Sequence, residues 1–231
     1  NLAGEALGAI GSPEVLDTLK EYSQDPVVEV AETCQLAVKR IQWLLDSAQK
    51  EGQNEHSMYC SVDPAPPDVT ENVKLLRRKL LDESLPLFER YRALFSLRNV
   101  GSREAVLSLA EGLKCSSALF RHEIAYVLGQ IQSNACVKQL TDSLSDLKEN
   151  EMVRHECAEA LGSIAHEECR DILKKFLKDE KRVVYESCEV ALDMCNYETS
   201  DEFQYADYLV KVKECNLENQ EVKSKHGRPN S

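Results

Sequence analysis

Two stretches carry residues suited to chemistry: Arg121-His122-Glu123-Ile124-Ala125-Tyr126-Val127-Leu128-Gly129 and Arg154-His155-Glu156-Cys157-Ala158-Glu159-Ala160-Leu161-Gly162. Each opens on Arg-His-Glu, and the second follows the first after 33 residues. A neutral imidazole is a borderline nitrogen donor and a carboxylate a hard oxygen donor, the mixture that suits non-haem iron with positions left open for oxygen. His122, Glu123, His155 and Glu156 are therefore the candidate metal ligands. A single His-Glu pair reads as a solvated pair near a helix N-terminus. Recurrence at 33 residues changes the reading, because that is the length of one helical hairpin, and equivalent positions on stacked hairpins face the same space.

The elements that must position these residues are amphipathic helices. In the first motif Phe120, Ile124, Val127, Leu128 and Ile131 form an apolar stripe, and in the second Val153, Cys157, Ala160, Leu161 and Ile164 repeat it. Each histidine lies off the stripe, on the side of Ala125, Tyr126 and Gly129 or of Ala158, Glu159 and Gly162. Those mostly small residues are expected to leave room for a ligand above the helix.

Gly and Pro are few in the 231 residues, and apolar residues recur at helical spacing almost throughout, which excludes a β-rich fold. A net charge of −12 argues against nucleic acid as a partner, since phosphate binding needs clustered Lys and Arg, and favours a cationic one. The nine cysteines include no Cys-x-x-Cys and are read as reduced, buried thiols, as expected of a cytoplasmic protein. No run is long and apolar enough for a membrane span.

Along the chain, residues 1–45 predict three helices (Leu2 to Ile10, Pro13 to Tyr22, Val27 to Leu45), with Ser12-Pro13 and Asp25-Pro26 as start signals. Residues 46–72 are a linker, mobile in its Gln/Glu/Ser part and stiffened by Ser61-Val62-Asp63-Pro64-Ala65-Pro66-Pro67 so as to hold two halves apart or across from each other. Helical pattern fills 73–212, with turns near 84–86, 101, 116, 133, 149, 165, 179 and 198. This predicts an all-α superhelix, a solenoid of antiparallel hairpins, whose His-free first and last repeats cover its ends. Residues 213–231 are expected to be a disordered tail. His166-Glu167, His56 and His226 fall outside the repeat register and read as surface.

A longer repeat overlies the short one. Ala3-Gly4-Glu5-Ala6-Leu7-Gly8 matches Cys157-Ala158-Glu159-Ala160-Leu161-Gly162, and Glu32-Thr33-Cys34 matches Glu186-Ser187-Cys188, both at an offset of 154. The chain thus reads as a duplicated protein cut inside its first half, with Asn1 and Leu2 where a third His-Glu pair would stand.

Val153 to Gly162, Leu119-Phe120-Arg121-His122-Glu123, the Ser61 to Pro67 stretch and Glu186 to Met194 together resemble the deoxyhypusine hydroxylase family, over Ala3 to about Leu209. The resemblance implies a HEAT-type repeat fold in two pseudo-symmetric halves. It also implies an iron-dependent monooxygenase that uses molecular oxygen to hydroxylate the deoxyhypusine side chain of translation initiation factor 5A. In that family four His-Glu pairs surround two Fe(II) ions. His122 and His155 then become iron ligands, and Glu123 and Glu156 ligands or their partners, with this chain an inactive fragment or short form because two pairs are missing. Two other readings stand beside it: a non-catalytic HEAT-repeat adaptor, and a bilin-lyase-like repeat protein.

Overall fold

The computed structural model describes residues 2–48, 59 and 61–200. Among them there are eleven α-helices and no strand: α1 Leu2–Ile10, α2 Leu16–Tyr22, α3 Val28–Ala48, α4 Val73–Leu81, α5 Leu87–Val100, α6 Arg103–Glu111, α7 Ala118–Ile131, α8 Val137–Ser145, α9 Glu151–Ile164, α10 Glu167–Lys175 and α11 Arg182–Glu198. Side chains of Asn72, Ser102, Ser117 and Asn150 accept hydrogen bonds from the first free N–H groups of α4, α6, α7 and α9, so the polar breaks in the pattern are N-caps. α3 runs three residues beyond its expected end, since Asp46-Ser47-Ala48 holds neither Gly nor Pro to stop it. Asn1, His56, His226, the Gln/Glu/Ser part of the linker, the expected tail and any helix from 201 to 212 lie outside the described residues.

The helices pair as hairpins, α4 with α5, α8 with α9 and α10 with α11, and the chain of inner helices α5, α7, α9 and α11 packs side by side. Phe120, Ile124, Val127 and Leu128 of α7 and Val153, Cys157, Ala160, Leu161 and Ile164 of α9 are all buried in one continuous core. Two of the small residues beside the histidines also serve packing. A Cβ on Gly129 would lie 3.0 Å from the Ala160 Cα, and one on Gly162 would lie 2.7 Å from the Ala191 Cα. They let adjacent inner helices approach until backbone nearly meets backbone, while Tyr126, Gly129 and Glu159 also line a cavity beside that contact.

Gly8 meets Ala37 in the same way, with 2.8 Å to its Cβ. Gly8 to Gly162 and Ala37 to Ala191 are both steps of 154 residues, as is Cys34 to Cys188, and both cysteines are buried. The longer repeat is thus present as one Gly-Ala contact made twice, between α1 and α3 and between α9 and α11. All seven described cysteines, Cys34, Cys115, Cys136, Cys157, Cys169, Cys188 and Cys195, are buried and unpaired.

The two segments meet across the Pro-rich stretch. α3 rests against α5 and α7, and Leu36 and Trp43 join the core of the second segment, so the first His-free repeat is itself covered. Asp63 is the tie. Its carboxylate accepts from the fully buried Arg98 guanidinium at 2.9 and 2.6 Å, and its carbonyl accepts from Arg40 Nε at 2.9 Å. Arg40 Nη1 in turn donates to the Gly8 carbonyl at 2.7 Å. One residue of the connection therefore bonds both α3 and α5, while Ala65 inserts into the core.

Candidate metal centre

The arginine that opens each triplet is an anchor. Arg121 grips Glu149 with Nε and Nη2 at 2.8 and 2.6 Å and gives Nη1 to the Cys115 and Ser116 carbonyls. Arg154 grips Asp179 at 3.2 and 2.5 Å and donates Nε to the Leu144 carbonyl at 2.8 Å. Paired charge-assisted bonds of this kind hold a side chain in one orientation. They fix the first turns of α7 and α9, on which the next residue is the histidine. This role was missed in the sequence, where the triplet was marked only by its recurrence.

The two imidazoles stand side by side, ring centroids 5.5 Å apart and planes at 50°. Glu156, of the second motif, reaches across to the first, with Oε2 3.1 Å from His122 Nε2. His122, His155 and Glu156 each present a ligand atom such that all three lie within 4.8 Å of one another. Glu123 is not in that group. It lines an adjoining cavity of about 330 Å³ together with Glu5, Asp63, Tyr91, Met152 and the two histidines. His166 and Glu167 are exposed and remote from the register, as expected.

Electrostatics separate the carboxylates. Burial pushes Glu123 up to about 8, with Glu5, Asp63 and Glu156 adding repulsion and Arg98 relieving part of it. The neighbouring His155 imidazole holds Glu159 below the usual carboxylate range, and Glu159 raises His155. A partly buried carboxyl that keeps its proton near neutrality is favoured in its charged form by a nearby cation. It also weakens the metal-free protein. With a folded value near 8 and an ordinary value of 4.5, the stabilising effect of the protonated form is complete below pH 4.5 and lost as pH rises through 8. Glu123→Gln should accordingly raise the melting temperature of the metal-free chain at pH 8, by the equivalent of about 1–2 kcal/mol once solvent access through the cavity is allowed for, and leave it unchanged at pH 4. Thermal unfolding of both proteins at the two pH values checks this; an equal shift at both would show that burial of charge is not the cause.

Two imidazole nitrogens and one carboxylate oxygen converging at this range fit a divalent transition metal, and the mixture is that of non-haem iron sites with open positions. No described helix is long and apolar enough to cross a membrane.

Residues 106–193 match HEAT repeats, and residues 3–25 and 89–115 match the PBS lyase HEAT-like repeat. The chain is 62% identical to the deoxyhypusine hydroxylase of Danio rerio and 61% identical to that of Homo sapiens, in each case over 91% of its own length and 69% of the relative's. A solved structure of the human deoxyhypusine hydroxylase in complex with glycerol superposes with a TM-score of 0.82 at 62% identity, covering 85% of this chain and 67% of that one. Repeat type, fold and an identity of about 60% over nine-tenths of its length agree, and the chain belongs to the deoxyhypusine hydroxylase family.

Proposed function

We propose that the chain serves the hydroxylation of the deoxyhypusine side chain of the translation initiation factor 5A precursor, with molecular oxygen as co-substrate. His122, His155 and Glu156 hold Fe(II), and the complete centre contains two such ions. The observation that carries this reading is the convergence of the three ligand atoms within 4.8 Å, in a chain of this family. Bound Fe(II) supplies the electrons that activate oxygen. Everything else falls to the chain. Arg121 and Arg154 keep the histidines in register. Leu36, Tyr91, Leu119 and Met152 give the cavity an apolar wall that takes methylene groups and limits water, while Glu5, Asp63 and Glu123 favour a protonated amine. Glu123 contributes from the cavity side, where a metal ion or an ammonium group would each displace the proton it otherwise keeps. The buried, unpaired thiols suit the reducing cytoplasm, where we place the reaction.

We further infer that residues 1–231 by themselves hold a single ion weakly and do not turn over. Two histidines and two glutamates complete about half of a dinuclear set with open positions. The test is anaerobic addition of ferrous iron to the purified chain, with metal stoichiometry and hydroxylation of a deoxyhypusine-bearing protein both measured. At most one weakly held iron and no product are expected. The same chain joined to the part of the Danio rerio relative that it does not span should hydroxylate. Failure of that chimera to do so would sink the functional reading, whereas two tight ions in the chain alone would sink only the half-site reading.

A further inference from the structure

A neutral imidazole has one N–H and one lone pair, and a metal can take only the lone pair. Which nitrogen is offered is settled by what the other one meets. His155 Nδ1 lies 3.4 Å from Glu159 Oε1, one turn along α9 and at the long end of hydrogen-bond range. Spacing of four residues alone would make this an ordinary helix-surface pair. Two further observations set it apart.

The first is that Glu159 is held from another helix. Ser187 of α11, buried at 7% exposure, donates its hydroxyl to the same Oε1 at 3.1 Å. A carboxylate free to swing would not need that brace. The second is in the sequence. Counting back 154 residues, Glu159 falls on Glu5 and Ser187 on Thr33, so the other half carries a carboxylate and a hydroxyl at the same two places. On α7 the position equivalent to Glu159 is Tyr126, whose hydroxyl accepts from Gln130, and there His122 meets Glu156 instead. The place that holds a carboxylate beside His155 therefore holds a tyrosine beside His122.

We propose that Glu159, seated by Ser187, is a positioning residue for His155: it accepts the Nδ1–H and leaves Nε2 as the nitrogen offered to the space shared with His122 and Glu156. The proposal rests on the metal-site reading above. Glu159 is 38% exposed, so its packing role is slight and its substitution should leave the fold intact.

Co(II), whose visible absorption reports its coordination, serves as the probe with the chain of residues 1–231. Glu159→Ala should bind Co(II) roughly 10–100-fold more weakly than the parent, the usual effect of removing a partner of a ligand. Glu159→Gln should lose less, because its amide oxygen still accepts, and Ser187→Ala should fall between Gln and the parent. In the metal-free proteins, nitrogen NMR of the imidazole should show His155 protonated on Nδ1 in the parent and shifted toward the Nε2–H form in Glu159→Ala, a change that a purely structural role would not cause. Parental affinity in Glu159→Ala, or the same tautomer in both proteins, overturns the proposal. If Glu159→Ala loses helicity, Ser187→Ala carries the test, and unaltered affinity there is equally fatal. His155→Ala separates the two levels of the argument: if it binds Co(II) as the parent does, the metal-site reading itself fails, whereas loss there with no loss in Glu159→Ala removes the positioning role alone.

Discussion

His155→Ala is expected to abolish metal binding by the chain and, in the complete enzyme, to lower hydroxylation by well over about 100-fold, the scale reached when only a partner of a ligand is removed. Helicity should hardly change. The imidazole is 21% exposed and stands off the stripe of Val153, Cys157, Ala160, Leu161 and Ile164 that carries the packing of α9. Its hydrogen-bond partner Glu159 keeps Ser187, and its neighbour Glu156 keeps His122. Iron stoichiometry, product mass and far-ultraviolet circular dichroism measured on one preparation decide the matter. A marked loss of helicity with metal binding retained would make His155 a packing residue and remove the chemical reading of both motifs.

The largest effect on stability is expected from Gly162→Val. The first added carbon alone would lie 2.7 Å from the Ala191 Cα and 2.9 Å from its carbonyl oxygen. Both are backbone atoms, so no side-chain rotation relieves the clash, and α11 must move off α9. Overpacking of this kind costs about 3 kcal/mol or somewhat more, which in a chain of this size lowers the melting temperature by roughly 6–12 °C. Because α11 also carries Ser187, metal affinity should fall along with stability. Thermal unfolding measures the first and a Co(II) titration the second; a melting temperature within a degree or two of the parent would mean that the inner helices are not in fact pressed together at this point.

What could be read from residues alone follows a physical boundary. Helices, their caps and the apolar stripes are local, so Ser12 announces its capping role in the sequence and the polar breaks at Ser102, Ser117 and Asn150 mark where helices begin. The 33-residue spacing carried one step further: a fixed period puts His122 and His155 on the same surface whatever their rotamers. Beyond that the period is silent. It makes Glu123 and Glu156 equivalent, yet Glu156 reaches His122 on the preceding inner helix, while Glu123 lines the cavity with Tyr91 of its own preceding helix and with Glu5 and Asp63. Gly129 and Gly162 look like open space on a wheel, yet they press against the backbone of Ala160 and Ala191. Asp63 looks like an ordinary linker residue, and nothing near it in the sequence points to Arg98, 35 residues on.

That last contact bears on how such a chain can vary. With Asp63 bonded on one side to Arg40 and on the other to Arg98, and with Leu36 and Trp43 packed into the second core, the mutual placement of the segments is set by these contacts, and not by the length of chain between α3 and Tyr59. Residues added to the connection ahead of Tyr59 would leave both of these Asp63 bonds in place. The stretch from Ser61 to Pro67 has no such latitude: shifting it by one residue would carry Asp63 away from both arginines and Ala65 out of the core. Tolerance of insertion should therefore end abruptly just before Ser61, at a boundary drawn by two guanidinium groups.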